Sequence, residues 1–165
     1  MDLDLDLTGR RRDDPTPEYA RRLLPVTRVC RALAGTVVLF AILSWTLTRE
    51  AGGGLLPAVP LALSLFAAVL ILLSSRFRSS VLKRAFPRAA ELRPSPETVL
   101  AVYGKATLIS FAILEVAALL GLLVSMTSGS AYYGLVLCVA TLFAMFTRWP
   151  RAAEVDRLLR GRAAP

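Results

Sequence analysis

The chain has 165 residues, of which 55 % are hydrophobic, and a formal net charge of +8. The apolar content exceeds that of an ordinary soluble domain, so the composition predicts an integral membrane protein with one compact domain. The basic residues flank apolar runs and do not form a face with aromatic side chains, which argues against nucleic acid as a partner.

The amino-terminal half of the chain predicts a tail, two membrane spans and a loop. Residues 1–27 form a polar tail that we expect to be mostly disordered, because prolines and charges leave little apolar surface to bury. A short surface helix is expected within it, over residues 18–24. The first span covers about residues 29–48 and the second about residues 55–75. Residues 76–98 are predicted to be a cytoplasmic loop.

The carboxyl-terminal half repeats the pattern of two long apolar runs. The third span covers about residues 103–126, and its helix is expected to begin as early as Glu97. After a four-residue turn, the fourth span covers about residues 131–149. Residues 150–165 form a cytoplasmic amphipathic tail. The four-helix transmembrane domain therefore extends over residues 28–149.

The distribution of Lys and Arg predicts the orientation. Of the 20 basic residues, 19 lie in the amino-terminal tail through Arg31, between Arg76 and Lys105, or from Arg148 onward. The two short connections hold only Arg49. Basic loops stay on the cytoplasmic side, so both termini and the central loop should be cytoplasmic. We expect an all-α, multi-pass protein of the bacterial inner membrane, with four spans arranged as two antiparallel hairpins.

The basic residues near the inner surface are expected to contact anionic lipid headgroups. The candidates are Arg76, Arg78, Lys83, Arg84, Arg88 and Arg151. The pentapeptide PRAAE occurs at residues 87–91 and again at 150–154, each time after a predicted hairpin. The repeat indicates either a duplicated hairpin or a chance match in a chain rich in Ala and Arg.

Small residues recur four apart in the third span, at Ala117, Gly121 and Ser125. This spacing lets membrane helices approach closely, so we interpret the row as a helix-packing surface. The alternative is a chance match, since Ala and Gly are abundant. Cys138 is expected to be a small buried hydrophobe, and two isolated cysteines without histidine favour neither a metal site nor a disulfide.

Glu115 is the residue with a possible chemical role, because it lies near the centre of the third span, where an ionised carboxylate is costly. No second acid falls within a predicted span. One interpretation is a carboxyl that binds and releases a proton or cation. The other is a protonated acid that donates a hydrogen bond to a neighbouring helix, with Ser44, Ser64 and Thr141 as candidate acceptors.

The sequence AILEVAALLGL, residues 112–122, resembles the carboxylate helix of rotary ATP synthase c-subunits. This resemblance implies that Glu115 is an ion-binding residue. The overall plan is similar to uncharacterised small four-span bacterial membrane proteins, a likeness that implies no activity.

Two functions follow as hypotheses from the sequence. The first is a structural, interaction or assembly component that associates with itself or with another membrane protein. The second is a small transporter, or a protein that translocates a proton or cation through Glu115. No nucleophile and base are paired in the sequence, so we expect neither enzyme activity nor a cofactor.

Overall fold

The structure is a computed structural model that describes residues 16–48, 58–85 and 95–159. All regular secondary structure in these ranges is α-helical, which confirms the predicted fold class at that level. The helices in chain order are α1 (Thr16–Arg22), α2 (Leu24–Thr48), α3 (Ala58–Ala85), α4 (Pro96–Ser128), α5 (Ala131–Thr147) and α6 (Ala152–Leu159).

Three of these helices, α2, α3 and α4, are long and apolar enough to cross a membrane. A fourth candidate span arises if α5 and α6, which are bent by 50° relative to each other, count as one broken span. A helix needs about 20 apolar residues to cross the hydrocarbon core, and α5 alone has 17. The chain is therefore a multi-pass membrane protein with three to four candidate spans.

The bounds of α4 follow from its capping residues. Ser95 accepts a hydrogen bond from the backbone N–H of Thr98 at 3.3 Å, and Pro96 occupies the first turn, where no amide proton is needed. This start agrees with the one expected near Glu97. At the other end, Gly129 has φ of 68°, the left-handed conformation that commonly terminates helices.

The bundle is built around α4, against which α2, α3 and α5 all pack. Residue numbers rise together at the contacts between α2 and α4, so these helices are parallel. They run in opposite order at the contacts of α3 and α5 with α4, so those pairs are antiparallel. The contacts are Val26–Gly104, Thr36–Glu115, Ser74–Ser110, Arg78–Tyr103, Gly134–Gly121 and Cys138–Ala118.

The arrangement of the first two spans differs from the expected packed hairpin. In the described residues, α2 packs on α4 and α5, while α3 packs mainly on another side of α4. The reason is that α4 lies at the centre and contacts helices on several sides. Half of the residues in its most apolar 18-residue stretch are buried, against 11 % in the corresponding stretches of α2 and α3. Each of those two helices buries its narrow inner face on α4 rather than on the other.

Helices extend into the segments predicted as a loop and as a tail. The predicted loop 76–98 begins as a continuation of α3, which extends to Ala85, about 15 Å beyond residue 75 at 1.5 Å per residue. The predicted tail 1–27 contains α1, which overlaps the short helix expected over residues 18–24, and also the first turn of α2. Residues 1–15, residues 86–94 with the first PRAAE copy, and residues 160–165 lie outside the described residues.

One end of the bundle collects the basic residues. The parallel and antiparallel directions bring the amino ends of α2 and α4 together with the carboxyl ends of α3 and α5. We call this the basic end. A second apolar core there joins α3, α4 and α6 through Leu82, Val99, Tyr103 and Val155. Leu23, between α1 and α2, belongs to this core, and Tyr19 of α1 packs against it. The short helices α1 and α6 are therefore packed onto the ends of the long helices.

Candidate functional site

Glu115 lies on the side of α4 that faces α2, and its carboxyl is partly buried. Its Oε1 atom is 2.7 Å from Oγ1 of Thr36 on α2. None of the three acceptors expected from the sequence fills this role. Ser64 donates to a carbonyl of its own helix, and the buried hydroxyls of Ser44 and Thr141 have no hydrogen-bond partner.

The Thr36 hydroxyl has two oxygen neighbours but only one proton. Its Oγ1 atom is 2.7 Å from the Leu33 carbonyl oxygen and 2.7 Å from Glu115 Oε1. Threonine in a helix commonly donates to a carbonyl three or four residues earlier. One hydroxyl proton can be shared between two acceptors in a three-centre hydrogen bond, so Thr36 can donate to both oxygens. The contact with Glu115 therefore joins α2 to α4 through a side-chain hydrogen bond.

The surroundings of Glu115 are apolar. Val116 and Leu119 on the same helix are exposed large hydrophobic residues. Apart from Glu97 in the first turn of α4, Glu115 is the only acid in the four long helices that the structure describes. The described residues also contain no group of three potential ligands that could hold a metal ion.

The small residues of α4 lie against α5. Ala117, Gly121 and Ser125 are buried, and the latter two contact Gly134. A Cβ atom at Gly134 would lie 2.5 Å from the Gly121 carbonyl oxygen and would overlap the Ser125 hydroxyl. We call the contact of Gly121, Ser125 and Gly134 the glycine seam. It joins two helices of one chain, so the row is not free to bind a second protein.

A polar network at the basic end joins α3, α4 and α6. Arg78 donates from Nη2 to Glu154 Oε2 at 2.7 Å and to the Tyr103 hydroxyl at 3.0 Å. Tyr103 in turn donates to Glu154 at 2.8 Å and accepts from the backbone N–H of Arg151 at 3.2 Å. The Arg78 guanidinium also lies 5.2 Å from the Tyr103 ring centroid, which is within range of a cation–π interaction.

A second set of contacts extends this network to α5. Arg148 donates to the Ser74 hydroxyl, and its own carbonyl oxygen is 3.4 Å from Arg78 Nη1. Ser110 of α4 donates to the Ser74 carbonyl oxygen at 3.2 Å. These contacts place two guanidinium groups and the carboxylate of Glu154 in one cluster, so the basic end is held together by polar as well as apolar contacts.

The candidate headgroup ligands divide into two groups. Arg76, Lys83, Arg84 and Arg151 are exposed at the basic end, and Arg88 lies outside the described residues. Arg78 differs from the expectation because only 8 % of it is exposed. It points inward since it follows Ser74 by four residues on the buried face of α3, and Glu154 neutralises its charge there.

Sequence reasoning missed Thr36, Tyr103 and Arg148. Thr36 could have been found by counting residues from the basic flank of each span. Thr36 lies eight residues after Arg28 and Glu115 lies ten residues after Lys105, so the two reach a similar depth in the membrane. No comparable signal in the sequence pairs Tyr103 with Glu154. Comparisons with protein-family models, curated proteins and solved structures give no match to this chain.

Proposed function

We propose that this chain is a structural or assembly component of a bacterial cytoplasmic membrane, in which Glu115 acts as a neutral hydrogen-bonding group between helices. The observation that carries the proposal is the 2.7 Å contact between Glu115 Oε1 and Thr36 Oγ1. A carboxyl that shares a hydrogen bond with the next helix ties the bundle together. The role is one of interaction rather than catalysis, and it needs no cofactor.

Other polar contacts support this role because they also connect different helices. Ser110 bonds α4 to α3, and Arg148 bonds α5 to α3. Arg78 and Glu154 connect α3 to α6. Polar side chains that bond across helix boundaries stabilise one arrangement of the bundle, as a scaffold requires.

In the proposed topology the chain crosses the membrane four times, with α5 as the fourth span, and both termini lie in the cytoplasm. The collection of basic residues at one end of the bundle supports it, since such residues are retained on the cytoplasmic side. The basic end would then meet the anionic headgroups of the inner leaflet. The protein partner is a second copy of the chain or another membrane protein.

Substitutions at Glu115 test the proposal. We expect Glu115→Gln to keep folding and assembly, because the amide still donates and accepts hydrogen bonds. Glu115→Ala should lower the free energy of unfolding by about 1 kcal/mol, the usual scale of an interhelical hydrogen bond in a membrane. The measurements are SDS titration in mixed micelles and size-exclusion chromatography in detergent.

The matched control is Glu97→Gln, which changes an exposed acid of the same helix and should leave both readouts unchanged. Wild-type stability in Glu115→Ala would contradict the structural role. So would an equal loss in Glu115→Gln and Glu115→Ala, because the loss would then follow the ionisable group and not the hydrogen bond.

The second candidate is transport, and the position of Glu115 favours it, as the one acid beyond the first turn of the four long helices that the structure describes. Acids within membrane spans commonly mark proton or ion pathways. Transport predicts that Glu115→Gln abolishes proton-coupled flux in liposomes, while Glu115→Asp retains part of it. Under the structural role, liposomes that contain wild type and Glu115→Gln give the same background flux.

A further inference from the structure

One outward stripe of α3 changes from apolar to basic along its length. Leu61, Leu65, Ala68 and Leu72 follow one another at spacings of four, three and four residues, which keeps them on one face of a helix. The three leucines are 62 %, 61 % and 67 % exposed, respectively. The same face continues towards the basic end with Arg76, Ser79 and Lys83.

A shallow, open groove lies on the basic part of this stripe. It has a volume of about 340 Å³ and is lined by Ser75, Arg76, Ser79, Ser80 and Lys83. The hydroxyls of Ser75 and Ser79 donate to backbone carbonyls of α3, which leaves Arg76, Lys83 and Ser80 to face a ligand. The two cations complement a phosphodiester, whose oxygens accept charge-assisted hydrogen bonds from guanidinium and ammonium groups.

The leucines nearest the groove lie within the depth of one leaflet. Leu65 is eleven residues from Arg76, or about 16 Å along the helix axis at 1.5 Å per residue. One leaflet contributes about half of the roughly 30 Å hydrocarbon core. A single molecule with an apolar chain of that length and a negative head would therefore match both parts of the stripe.

We propose that this face of α3 binds one anionic phospholipid, with its phosphate in the groove and an acyl chain along Leu72 and Leu65. The two positive charges of Arg76 and Lys83, with no acid among the groove residues, favour an anionic over a zwitterionic headgroup. The inference rests on the proposed embedding of the chain in a bilayer with its basic end at the headgroups.

The test titrates the purified full-length chain in detergent with short-chain phosphatidylglycerol and follows the thermal unfolding temperature. We expect a saturable rise with phosphatidylglycerol, and none with short-chain phosphatidylcholine or with inorganic phosphate. The double variant Arg76→Gln/Lys83→Gln should raise the half-saturating concentration by on the order of tenfold, since each basic residue contributes to headgroup attraction.

The matched control is Arg84→Gln/Lys105→Gln, which removes two exposed charges of the same end outside the groove. It should change the half-saturating concentration less than about twofold, because charges outside the groove add only weak, long-range attraction. An equal effect of both double variants would overturn the site, since the attraction would then be diffuse. A response to phosphate alone, or an equal response to phosphatidylcholine, would overturn the phospholipid assignment.

Membrane insertion separates this inference from the proposed function. Resistance of the wild-type chain to alkaline carbonate extraction reports bilayer embedding alone. A chain that resists extraction but shows no saturable response to phosphatidylglycerol defeats the lipid site and leaves the proposed function standing. A chain that is extracted defeats both.

Discussion

Thr36 and Glu115 form a polar link between α2 and α4 within an otherwise apolar stretch. The two oxygen atoms are 2.7 Å apart. In a membrane such a hydrogen bond contributes a moderate net free energy of stabilisation, because the polar groups of helices that separate in lipid can find other partners. The pair should therefore fix the register of α2 on α4 more than it determines overall stability.

The coupling between these two residues is measurable with a double-mutant cycle of Thr36→Val and Glu115→Ala. We expect a coupling free energy of about 1 kcal/mol in SDS titrations, since each single change already removes the shared bond. A parallel cycle with Thr46→Val is the control, because the exposed Thr46 bonds only a carbonyl of its own helix. Equal coupling in the two cycles would contradict the link.

Breaking the ion pair of Arg78 and Glu154 should cost more free energy than breaking the bond between Thr36 and Glu115, because Arg78 is buried. Glu154→Gln removes the negative charge and leaves a buried guanidinium without a counter-ion. We expect a loss of about 2 kcal/mol in the free energy of unfolding, less than for a fully buried pair because Glu154 is partly exposed.

Glu18→Gln is the comparison for this prediction, because it breaks an exposed i,i+4 pair with Arg22. That change should cost no more than about 0.5 kcal/mol. Similar effects of Glu154→Gln and Glu18→Gln would show that the Arg78 network does not hold α6 to the bundle.

At the scale of the elements, the contact of α4 with α5 depends on the glycine seam. We expect Gly134→Ala to destabilise the protein by about 2 kcal/mol, because the added Cβ meets Ser125 and the Gly121 carbonyl oxygen. Gly35→Ala is the matched control on α2, where a Cβ has nothing within 4 Å. It should be neutral or slightly stabilising, by up to about 1 kcal/mol. Unfolding in mixed micelles distinguishes the two, and equal effects would contradict a tight seam.

Apolar runs predicted the helices, but not how far α3 continues or which helices pack together. The segment after residue 75 resembles a loop because it is rich in basic residues. It remains helical because Arg78 and Leu82 lie inside while Arg76 and Lys83 lie outside. The average polarity of the segment does not show that buried and exposed residues alternate. The alternation is seen only when the residues are placed at the 3.6-residue period of a helix.

The candidate site was predictable in part. An acid at midspan identifies Glu115 from the sequence alone. Its partner depends on the parallel direction of α2 and α4, which brings Thr36 to the depth of Glu115. The expected acceptors lay on helices whose depth and rotation relative to α4 the sequence does not contain.

At the scale of the whole molecule, the proposed roles of the basic end require that this end face the cytoplasm. Arg157 is exposed there on α6, and Tyr132 is exposed at the opposite end on α5. The buried Cys30 and Cys138 can be replaced by alanine, so that single cysteines report each end without background. Because Arg157 and Tyr132 lie at opposite ends of the bundle, cysteines at these two positions should be accessible from opposite sides of the membrane.

The most direct measurement labels Arg157→Cys and Tyr132→Cys with a membrane-impermeant maleimide in spheroplasts of a bacterial host. We expect Tyr132→Cys to react in intact spheroplasts and Arg157→Cys to react only after permeabilisation, because basic segments stay inside. Labelling of Arg157→Cys in intact spheroplasts, with Tyr132→Cys protected, would contradict the orientation and the roles assigned to the basic end.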